Sequence, residues 1–254
     1  MIKVWLVLQK ELKEIIQQRT LVLSLLLIPL LIIVATGYLL KNPLSAGSVS
    51  LPTNNPQLAG LTAEQIAQIT IGNMFRMYLL AQPLLIPAMI AAYSIVGEKN
   101  NRTLEPLLAA PVSTWQLLSA KSLSAMLPAL FATWISGGIF VAEVALLTSP
   151  AVFSLVITPG WLIIMILTVP VIMLIPVSVT VMISSRFNDP RTTSQVSSLI
   201  FVALVLAFTL FGTNLVISPQ ISLAITALAA FVGVGLLWSA TRVFQRENIL
   251  TRWS

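Results

Sequence analysis

Five long stretches of this chain contain no Asp, Glu, Lys or Arg, and they constrain the fold more than any other feature. In chain order they are residues 20–40, 77–97, 122–142, 144–185 and 192–241. A helix that crosses a membrane needs roughly 20 apolar residues. Only 9% of the residues are charged, whereas a soluble domain carries about a quarter. The sequence therefore predicts an integral membrane protein built from helices.

The five stretches provide enough length for six membrane-spanning helices. Each of the first three holds one span. The fourth is 42 residues long and is interrupted near Pro150 and Pro159, so it holds the end of the third span and all of a fourth. The fifth, of 50 residues, turns between 212 and 219 and holds two. The predicted transmembrane helices are 20–40, 77–97, 122–147, 161–183, 195–212 and 220–240.

The N-terminal segment, residues 1–19, precedes the first span and has the pattern of a helix with two unlike faces. Its apolar side chains recur at helical spacing, and most of its charged side chains fall elsewhere around the helix. The apolar positions are Trp5, Leu8, Leu12, Ile15 and Ile16. We predict an amphipathic helix at the membrane interface. A simple anchor and a contact surface for a cytoplasmic partner both remain open.

The distribution of basic residues predicts the orientation of the chain. With the N-terminus in the cytoplasm, 12 of the 14 Lys and Arg residues lie in cytoplasmic segments, and only Lys41 and Arg76 lie outside. This excess agrees with the positive-inside rule, so both termini are expected in the cytoplasm. The net charge of +6 is then explained by loops that lie against anionic lipid headgroups. No nucleic-acid partner is expected.

Two capping-box patterns mark where helices begin. Residues 41–73 form a predicted external loop, and within it Thr62-Ala63-Glu64-Gln65 has the sequence of a capping box. A helix is therefore expected to start at Thr62, and the sequence leaves open whether it runs on into the second span. Ser113-Thr114-Trp115-Gln116 has the same pattern before the third span.

Several classes of chemistry are excluded by the residues that the chain lacks. It contains no His and no Cys, so metal sites built on imidazole or thiolate and Cys or Ser–His nucleophiles are ruled out. An intramembrane protease with paired aspartates is ruled out because Asp189 is the only Asp. The phosphate-binding motif Gly-x-x-x-x-Gly-Lys-Ser/Thr does not occur. We therefore expect no enzyme, no catalytic residue, no metal and no cofactor in this chain.

The loop between the second and third spans, residues 98–113, contains the signals of a short helix. Thr103 is a suitable N-cap, Glu105 in the first turn suits the helix dipole, and Pro111 prevents extension. The apolar face of this helix would consist of Leu104, Leu107 and Leu108. From these residues alone, a solvated connection and a functional loop both remain open.

The run from Glu98 to Lys121, EKNNRTLEPLLAAPVSTWQLLSAK, resembles the corresponding loop of ABC type 2 permeases. The shared pattern is an acidic residue, Thr-Leu-Glu, Leu-Leu, Pro-Val-Ser and a closing Lys, while Arg102 stands where relatives often have Gly. The beginning, KELKEIIQQRTLVLSLLLIPLL from Lys10, and the end, RVFQRENILTRW from Arg242, are also similar to that family. The similarity covers nearly the whole chain.

This resemblance implies a membrane subunit of an ABC exporter in the cell membrane. The loop helix would be a coupling helix that docks on a separate ATPase subunit, and that subunit would bind ATP and Mg. The docking residues implied are Glu98, Arg102, Thr103, Leu104, Glu105, Leu107 and Leu108. A second permease would complete the path, with an identical copy expected and a different permease as the alternative. The competing interpretation is an autonomous six-helix carrier or channel.

The expected fold is an all-α integral membrane protein of one domain, residues 1–254. It has six transmembrane helices, the N-terminal interfacial helix and the short cytoplasmic coupling helix.

Glu143 and Arg76 are candidates for an outer gate. Glu143 lies about 6 Å below the predicted outer surface, where an ionised carboxylate facing lipid is costly, so we expect it to face protein or a wet cavity. Arg76 enters the second span from the same side and has the opposite sign. An ion pair between them and separate snorkelling to the headgroups both remain open.

Overall fold

The computed structural model describes residues 2–43, 60–100, 113–184, 189, 191–199, 201–202 and 218–243. Across these ranges the regular structure is helical and contains no β-strand. The helices are α1 (Ile2–Gln17), α2 (Arg19–Lys41), α3 (Ala63–Asn100), α4 (Thr114–Leu147), α5 (Pro150–Val156), α6 (Pro159–Ile163), α7 (Val169–Ile172), α8 (Leu174–Ser184) and α9 (Pro219–Val243). Residues 191–199 and 201–202 are also helical.

Four helical segments of the described chain are long and apolar enough to cross a membrane. They are Ala63–Gly97, Trp115–Leu147, Pro159–Ser184 and Pro219–Arg242. These contain the predicted spans 77–97, 122–147, 161–183 and 220–240. Helix α2 covers the predicted span 20–40. Its apolar part Pro29–Lys41 is shorter than the four candidate spans. The helical membrane fold is confirmed. Most of the predicted span 195–212 lies outside the described residues, so the count of six spans stays a prediction.

Helix α3 begins well before the predicted second span. Both hydrogen bonds of the capping box are present: the Gln65 N–H donates to Thr62 Oγ1 at 3.3 Å, and the Thr62 N–H donates to Gln65 Oε1 at 2.9 Å. From there α3 runs unbroken to Asn100, through Pro83 and Pro87. Residues 63–73 thus form the first turns of α3, because no stop signal follows the cap, and their position outside the membrane stays a prediction.

Helix α4 begins at the second predicted capping box. The Gln116 N–H donates to Ser113 Oγ at 3.3 Å, and the Ser113 N–H donates to Gln116 Oε1 at 3.1 Å. Helix α4 has 34 residues and lies antiparallel to α3, which has 38. The end of α3 and the cap of α4 therefore bracket the loop that the sequence analysis singled out.

Two short helices follow α4 where the sequence indicated only interruptions. Ser149 caps α5 by accepting from the Val152 N–H, and Thr158 caps α6 by accepting from the Trp161 N–H. Each cap precedes a proline at the first helical position, where the missing N–H costs nothing. The breaks at Pro150 and Pro159 are therefore helix starts as well.

The candidate span Pro159–Ser184, which contains the predicted fourth span, includes a π-helical turn, Ile164–Thr168, between α6 and α7. Pro170 follows it and lacks the N–H that would continue the α-helical ladder. The carbonyl of Met165 within this turn accepts a hydrogen bond from Trp134 Nε1 of α4 at 2.9 Å. Thr168 Oγ1 lies 2.7 Å from Thr226 Oγ1 of α9. The irregular turn thus has partners on two neighbouring helices.

Helix α3 is the central element of the bundle. Its candidate span is 61% buried, compared with 33% for that of α4 and 22% for that of α9. One end of the bundle has a cluster around Phe140 and Trp161, whose rings meet edge to face at 5.9 Å. The other end, where α1 packs, has a cluster that includes Ile15, Ile90 and Val181. Helix α3 contributes to both.

A glycine in α3 allows α5 to approach closely. A Cβ atom added at Gly72 would lie 2.9 Å from both Cγ atoms of Val156. We expect Gly72→Ala to lower the free energy of unfolding by about 1–3 kcal/mol, since an added methyl group in a packed contact forces the helices apart. Thermal unfolding of the detergent-purified protein, followed by tryptophan fluorescence, measures the effect.

The matched control is Gly97→Ala in the same helix, because nothing lies within 4 Å of a Cβ at that position. There the change to alanine is expected to raise helix stability by up to about 1 kcal/mol. An unaltered melting temperature for Gly72→Ala would contradict the close packing of α3 on α5.

Candidate functional site

A buried charged network lies at the α1 end of the bundle. The side chains of Glu11 and Lys121 are each 2% exposed, and Lys121 Nζ lies 3.0 Å from Glu11 Oε1. Lys121 Nζ also donates to Ser94 Oγ at 3.1 Å, and Ser94 Oγ donates to Glu11 Oε2 at 2.6 Å. The three residues come from α1, α3 and α4. We call this set the Glu11–Ser94–Lys121 network.

The spacing of residues in α1 places Glu11 in this network. Leu8, Glu11 and Ile15 follow one another at intervals of three and four, so they share one face of the helix. All three are buried, and α1 packs along α4. Trp5 and Ile16, which the sequence assigned to the same apolar face as Leu8, are exposed on the structure. The buried face of α1 therefore includes an acid, Glu11. That α1 lies at a membrane surface stays a prediction.

The surroundings of Glu11 favour its ionised form. Burial raises the pKa of this carboxyl, whereas the ammonium of Lys121 and the hydrogen bond from Ser94 lower it, and the balance holds the pKa below its usual range. Lys10 adds a weaker contact at 3.6 Å and also reaches Glu14 at 3.2 Å. The exposed Lys10–Glu14 pair is screened by solvent and contributes about 0–1 kcal/mol. The buried pair is the stronger constraint.

The network lies immediately below the loop between α3 and α4. Ser94 precedes the end of α3 by six residues, and Lys121 follows the cap Ser113 by eight residues. At a rise of 1.5 Å per residue, these positions are about 9 Å and about 12 Å from the helix ends. Helix α1 is thus fastened to both helices that carry the loop.

The residues predicted to dock on an ATPase lie almost entirely in that loop. Glu98 is in the last turn of α3. The predicted coupling helix, with Arg102, Thr103, Leu104, Glu105, Leu107 and Leu108, lies outside the described residues. Their role stays a prediction, and the structure supplies the two helices that flank them.

Arg76, at the opposite end of the bundle, has a partner that the sequence did not suggest. Its side chain is buried, and Nη1 donates to the carbonyl oxygen of Val156 at 3.0 Å. Val156 is the last residue of α5. The last carbonyls of a helix have no partner within it and carry a partial negative charge, so a cation there is stabilising. Arg76 caps α5.

Glu143 packs against a different neighbour. Its Oε1 atom lies 2.8 Å from where a Cβ of Gly37 would stand, so the carboxylate rests on the backbone of α2. Its Oε2 atom is buried and accepts no hydrogen bond. The ion pair considered between Arg76 and Glu143 is not formed in this structure, because the two side chains turn to α5 and α2 respectively. That either residue acts in an outer gate stays a prediction.

Sequence reasoning overlooked Glu11 and Ser94. The available signal was an acid between the apolar residues Leu8 and Ile15 on one helix face, together with a lysine immediately before the predicted third span. Two unlike charges in apolar surroundings each require a partner. Nothing in the local pattern of α1 identifies that partner as Lys121, which is 110 positions away.

We expect Glu11→Gln to lower the free energy of unfolding by about 3 kcal/mol, because it leaves the buried Lys121 ammonium without a counter-charge. The effect depends on pH. A carboxyl whose pKa is lowered by folding stabilises the protein above its unfolded pKa, and that contribution is lost as the pH falls through the folded value. The gap in melting temperature between wild type and Glu11→Gln should therefore be largest near pH 7 and close below about pH 4.

Glu14→Gln is the matched control, since it removes the same charge from an exposed position of α1. It should shift stability by no more than about 1 kcal/mol at any pH. Equal melting temperatures for the two variants at neutral pH would show that the Glu11–Ser94–Lys121 network is not a stabilising contact.

Comparison with known proteins agrees with the resemblance seen in the sequence. The model of the family described as "ABC-2 family transporter protein" matches residues 5–233. No curated protein matches the sequence. The matched region includes most of α1, all of α2 to α8, most of α9 and all three members of the Glu11–Ser94–Lys121 network. The chain therefore belongs to the ABC-2 transporter family, as a multi-pass membrane permease of an ABC transporter without an ATPase domain of its own.

Proposed function

We propose that this permease is the membrane subunit of an exporter, driven by a separate ATPase subunit that docks on the cytoplasmic loop 98–113. The observation that carries the proposal is the pair of long helices, α3 and α4, that flank this loop and are joined below it by the Glu11–Ser94–Lys121 network. The family match makes an ATPase the expected partner at this position.

Helices α3 and α4 reach beyond the Glu11–Ser94–Lys121 network on the side of the loop. Six residues of α3 follow Ser94 and eight positions separate Ser113 from Lys121, which correspond to about 9 Å and about 12 Å at 1.5 Å per residue. Lys121 and Glu11 show that charged groups lie at this level of the bundle. Both α3 and α4 continue beyond this level toward the loop. The loop is thereby presented to a soluble partner, and two packed helices can transmit a displacement as rigid elements.

The basic side chains support a cytoplasmic location for the α1 end. Lys10 and Lys13 belong to α1, and Arg242 ends α9, where its guanidinium lies 3.6 Å from the centre of the Trp238 ring. Ala240 of α9 shares a cluster with Ile15 of α1, so these helix ends are neighbours. Aromatic and basic residues together are typical of a membrane–water boundary, and an excess of basic residues is typical of the cytoplasmic side. Both termini then belong to the cytoplasm.

In this proposal ATP hydrolysis comes from another polypeptide. No P-loop motif occurs in the 254 residues, so ATP and Mg belong to the partner subunit. An autonomous carrier would need neither. Relative to the predicted spans 77–97 and 122–147, the ionisable residues Arg76, Lys121 and Glu143 lie at or near the ends, whereas a coupling ion normally binds nearer the midplane.

We further propose that a second, identical permease completes the translocation path. Within the candidate spans of α4 and α9, only 33% and 22% of the residues are buried inside the bundle. Large apolar side chains cover the exposed faces of both helices, among them Phe131, Ile135, Leu228 and Phe231. Lipid covers such a surface as readily as protein does, so the argument for a second copy rests on the small size of one bundle and on the symmetry common among oligomers.

Leu107→Asp and Leu108→Asp are each expected to abolish binding of the ATPase subunit, since a charge in a docked apolar face is strongly unfavourable. The measurement is copurification of the ATPase with tagged permease from membranes that contain both. Membrane insertion of the variant is checked in the same preparation.

Leu107→Met keeps an apolar side chain of similar volume and should retain the ATPase. Gln17→Asp, an exposed position of α1, adds the same charge at the same end and should retain it as well. Undiminished copurification with Leu107→Asp and Leu108→Asp would refute docking at this loop. Transport by the permease alone would favour the autonomous carrier.

Single cysteines are expected to crosslink two permeases in membranes at some exposed positions and at no buried position. The chain contains no native Cys, so each introduced thiol reports alone. Suitable exposed sites are Leu30 in α2, Ile135 in α4 and Phe231 in α9, with Val96 as the buried control. A complex that binds the ATPase but contains one permease would disprove the dimer.

A further inference from the structure

We propose that Glu11, Ser94 and Lys121 are positioning residues for energy coupling: through them α1 moves as one body with the loop-bearing ends of α3 and α4. The inference rests on the proposed function, in which an ATPase displaces the loop. It adds to that function that α1 moves together with the loop, and that the Glu11–Ser94–Lys121 network is the contact that makes α1 move.

The contact between α1 and its neighbours resists sliding because it is ionic and buried. The same end of the bundle also holds an apolar cluster, to which Ile15 of α1 and Leu118 of α4 belong. Apolar side chains can shift past one another at small cost, since the hydrophobic effect has no direction. A shift of one or two ångströms would instead break the 3.0 Å contact of Lys121 with Glu11 and leave two buried charges unpaired.

Ser94 extends this constraint to a third helix. Its hydroxyl accepts from Lys121 Nζ at 3.1 Å and donates to Glu11 Oε2 at 2.6 Å. Each charged group thus bonds both to the other and to α3. Because α3 and α4 hold the two ends of the loop, any displacement that draws them together reaches α1 through atoms in direct contact.

Helix α1 then passes the movement to the first span. It ends at Gln17, and Gln18 departs from helical geometry, with φ −80° and ψ 83°, before α2 begins at Arg19. The Gln18 N–H still donates to the carbonyl oxygens of Glu14 and Ile15. A single non-helical residue between two helices lets their angle change while their ends stay joined. The path runs from the loop through α3 and α4 to α1, and from α1 to α2.

A merely structural network would differ in one respect. Loss of the network would then reduce the amount of folded complex, while the complexes that remain would respond to nucleotide as wild type does. The test must therefore measure nucleotide-driven movement in assembled complexes and not only their yield.

The experiment uses the complete complex of permease and copurifying ATPase, reconstituted in lipid nanodiscs. Spin labels are placed on introduced cysteines at exposed positions, Gln9 in α1 with Trp115 in α4, or Gln9 with Trp238 in α9. Dilution with the naturally cysteine-free chain removes distances between permease copies. Pulsed electron resonance then records each distance without nucleotide and with ATP and vanadate.

In wild type we expect the Gln9–Trp115 distance to stay constant and the Gln9–Trp238 distance to shift with ATP and vanadate. In Glu11→Gln, the fraction of complexes in which the Gln9–Trp238 distance shifts should fall about fivefold or more, which is the lower range of couplings between distant sites. The distribution of Gln9–Trp115 distances should become broader, because α1 is no longer held at a fixed position along α4. Ser94→Ala, a milder change that preserves the ion pair, should reduce the shift in the same direction.

Two variants separate charge pairing from other effects. Glu14→Gln removes an exposed charge from the same helix and should leave both distances as in wild type. The double variant Glu11→Lys, Lys121→Glu restores a pair of opposite charges and should recover at least half of the lost shift in the Gln9–Trp238 distance. Neither single charge reversal should recover it.

The inference is overturned if Glu11→Gln complexes shift as wild type does, or if α1 does not move in wild-type complexes that hydrolyse ATP. Failure of the proposed function looks different, because then no ATPase copurifies with the wild-type permease and there is no complex to label.

Discussion

Backbone N–H and C=O groups have no water to bind inside a bilayer, and this constraint shapes the whole chain. Every segment that crosses the hydrocarbon must pair these groups within itself, which leaves the helix as the local solution. The irregular places carry substitutes. Arg76 binds the last carbonyl of α5, Trp134 binds a carbonyl in the π-helical turn, and Ser149 caps α5 at its start. Where the helical hydrogen bonds are interrupted, side-chain hydrogen bonds to the backbone thus take their place.

Apolar helices in lipid have little to fix their register, because lipid tails are as apolar as leucine. Directional contacts supply that register here. The Glu11–Ser94–Lys121 network joins three helices at one end, and Gln68 Nε2 donates to the carbonyl oxygen of Leu40 at the other. Thr168 and Thr226 meet between the fourth span and α9. The buried ion pair is the costliest of these contacts to break, and it lies where the proposed ATPase would apply force.

In the proposed function the movement comes from a separate ATPase subunit, and the helices α3 and α4 would receive it at the loop between them. Helices α3 and α4 run unbroken to the two sides of this loop, and among the four candidate spans of the described residues that of α3 has the largest buried share. A displacement of the loop between them would therefore reach the centre of the molecule along an unbroken helix. The fastening of α1 to both helices extends the same movement to the peripheral α2. The proposed coupling mechanism follows from continuity of helices and from one buried ionic contact.

Local patterns determined much of this protein in advance: its membrane-helical class, the capped starts at Thr62 and Ser113, its lack of an ATP site and its family. Such signals depend on residues within about four positions, or on composition, and are legible without the fold. The tertiary structure decided the partners. Glu11 meets Lys121 across 110 positions, and Arg76 meets Val156 across 80 instead of Glu143. These pairings depend on the depth and rotation at which helices pack, and no local periodicity encodes either quantity.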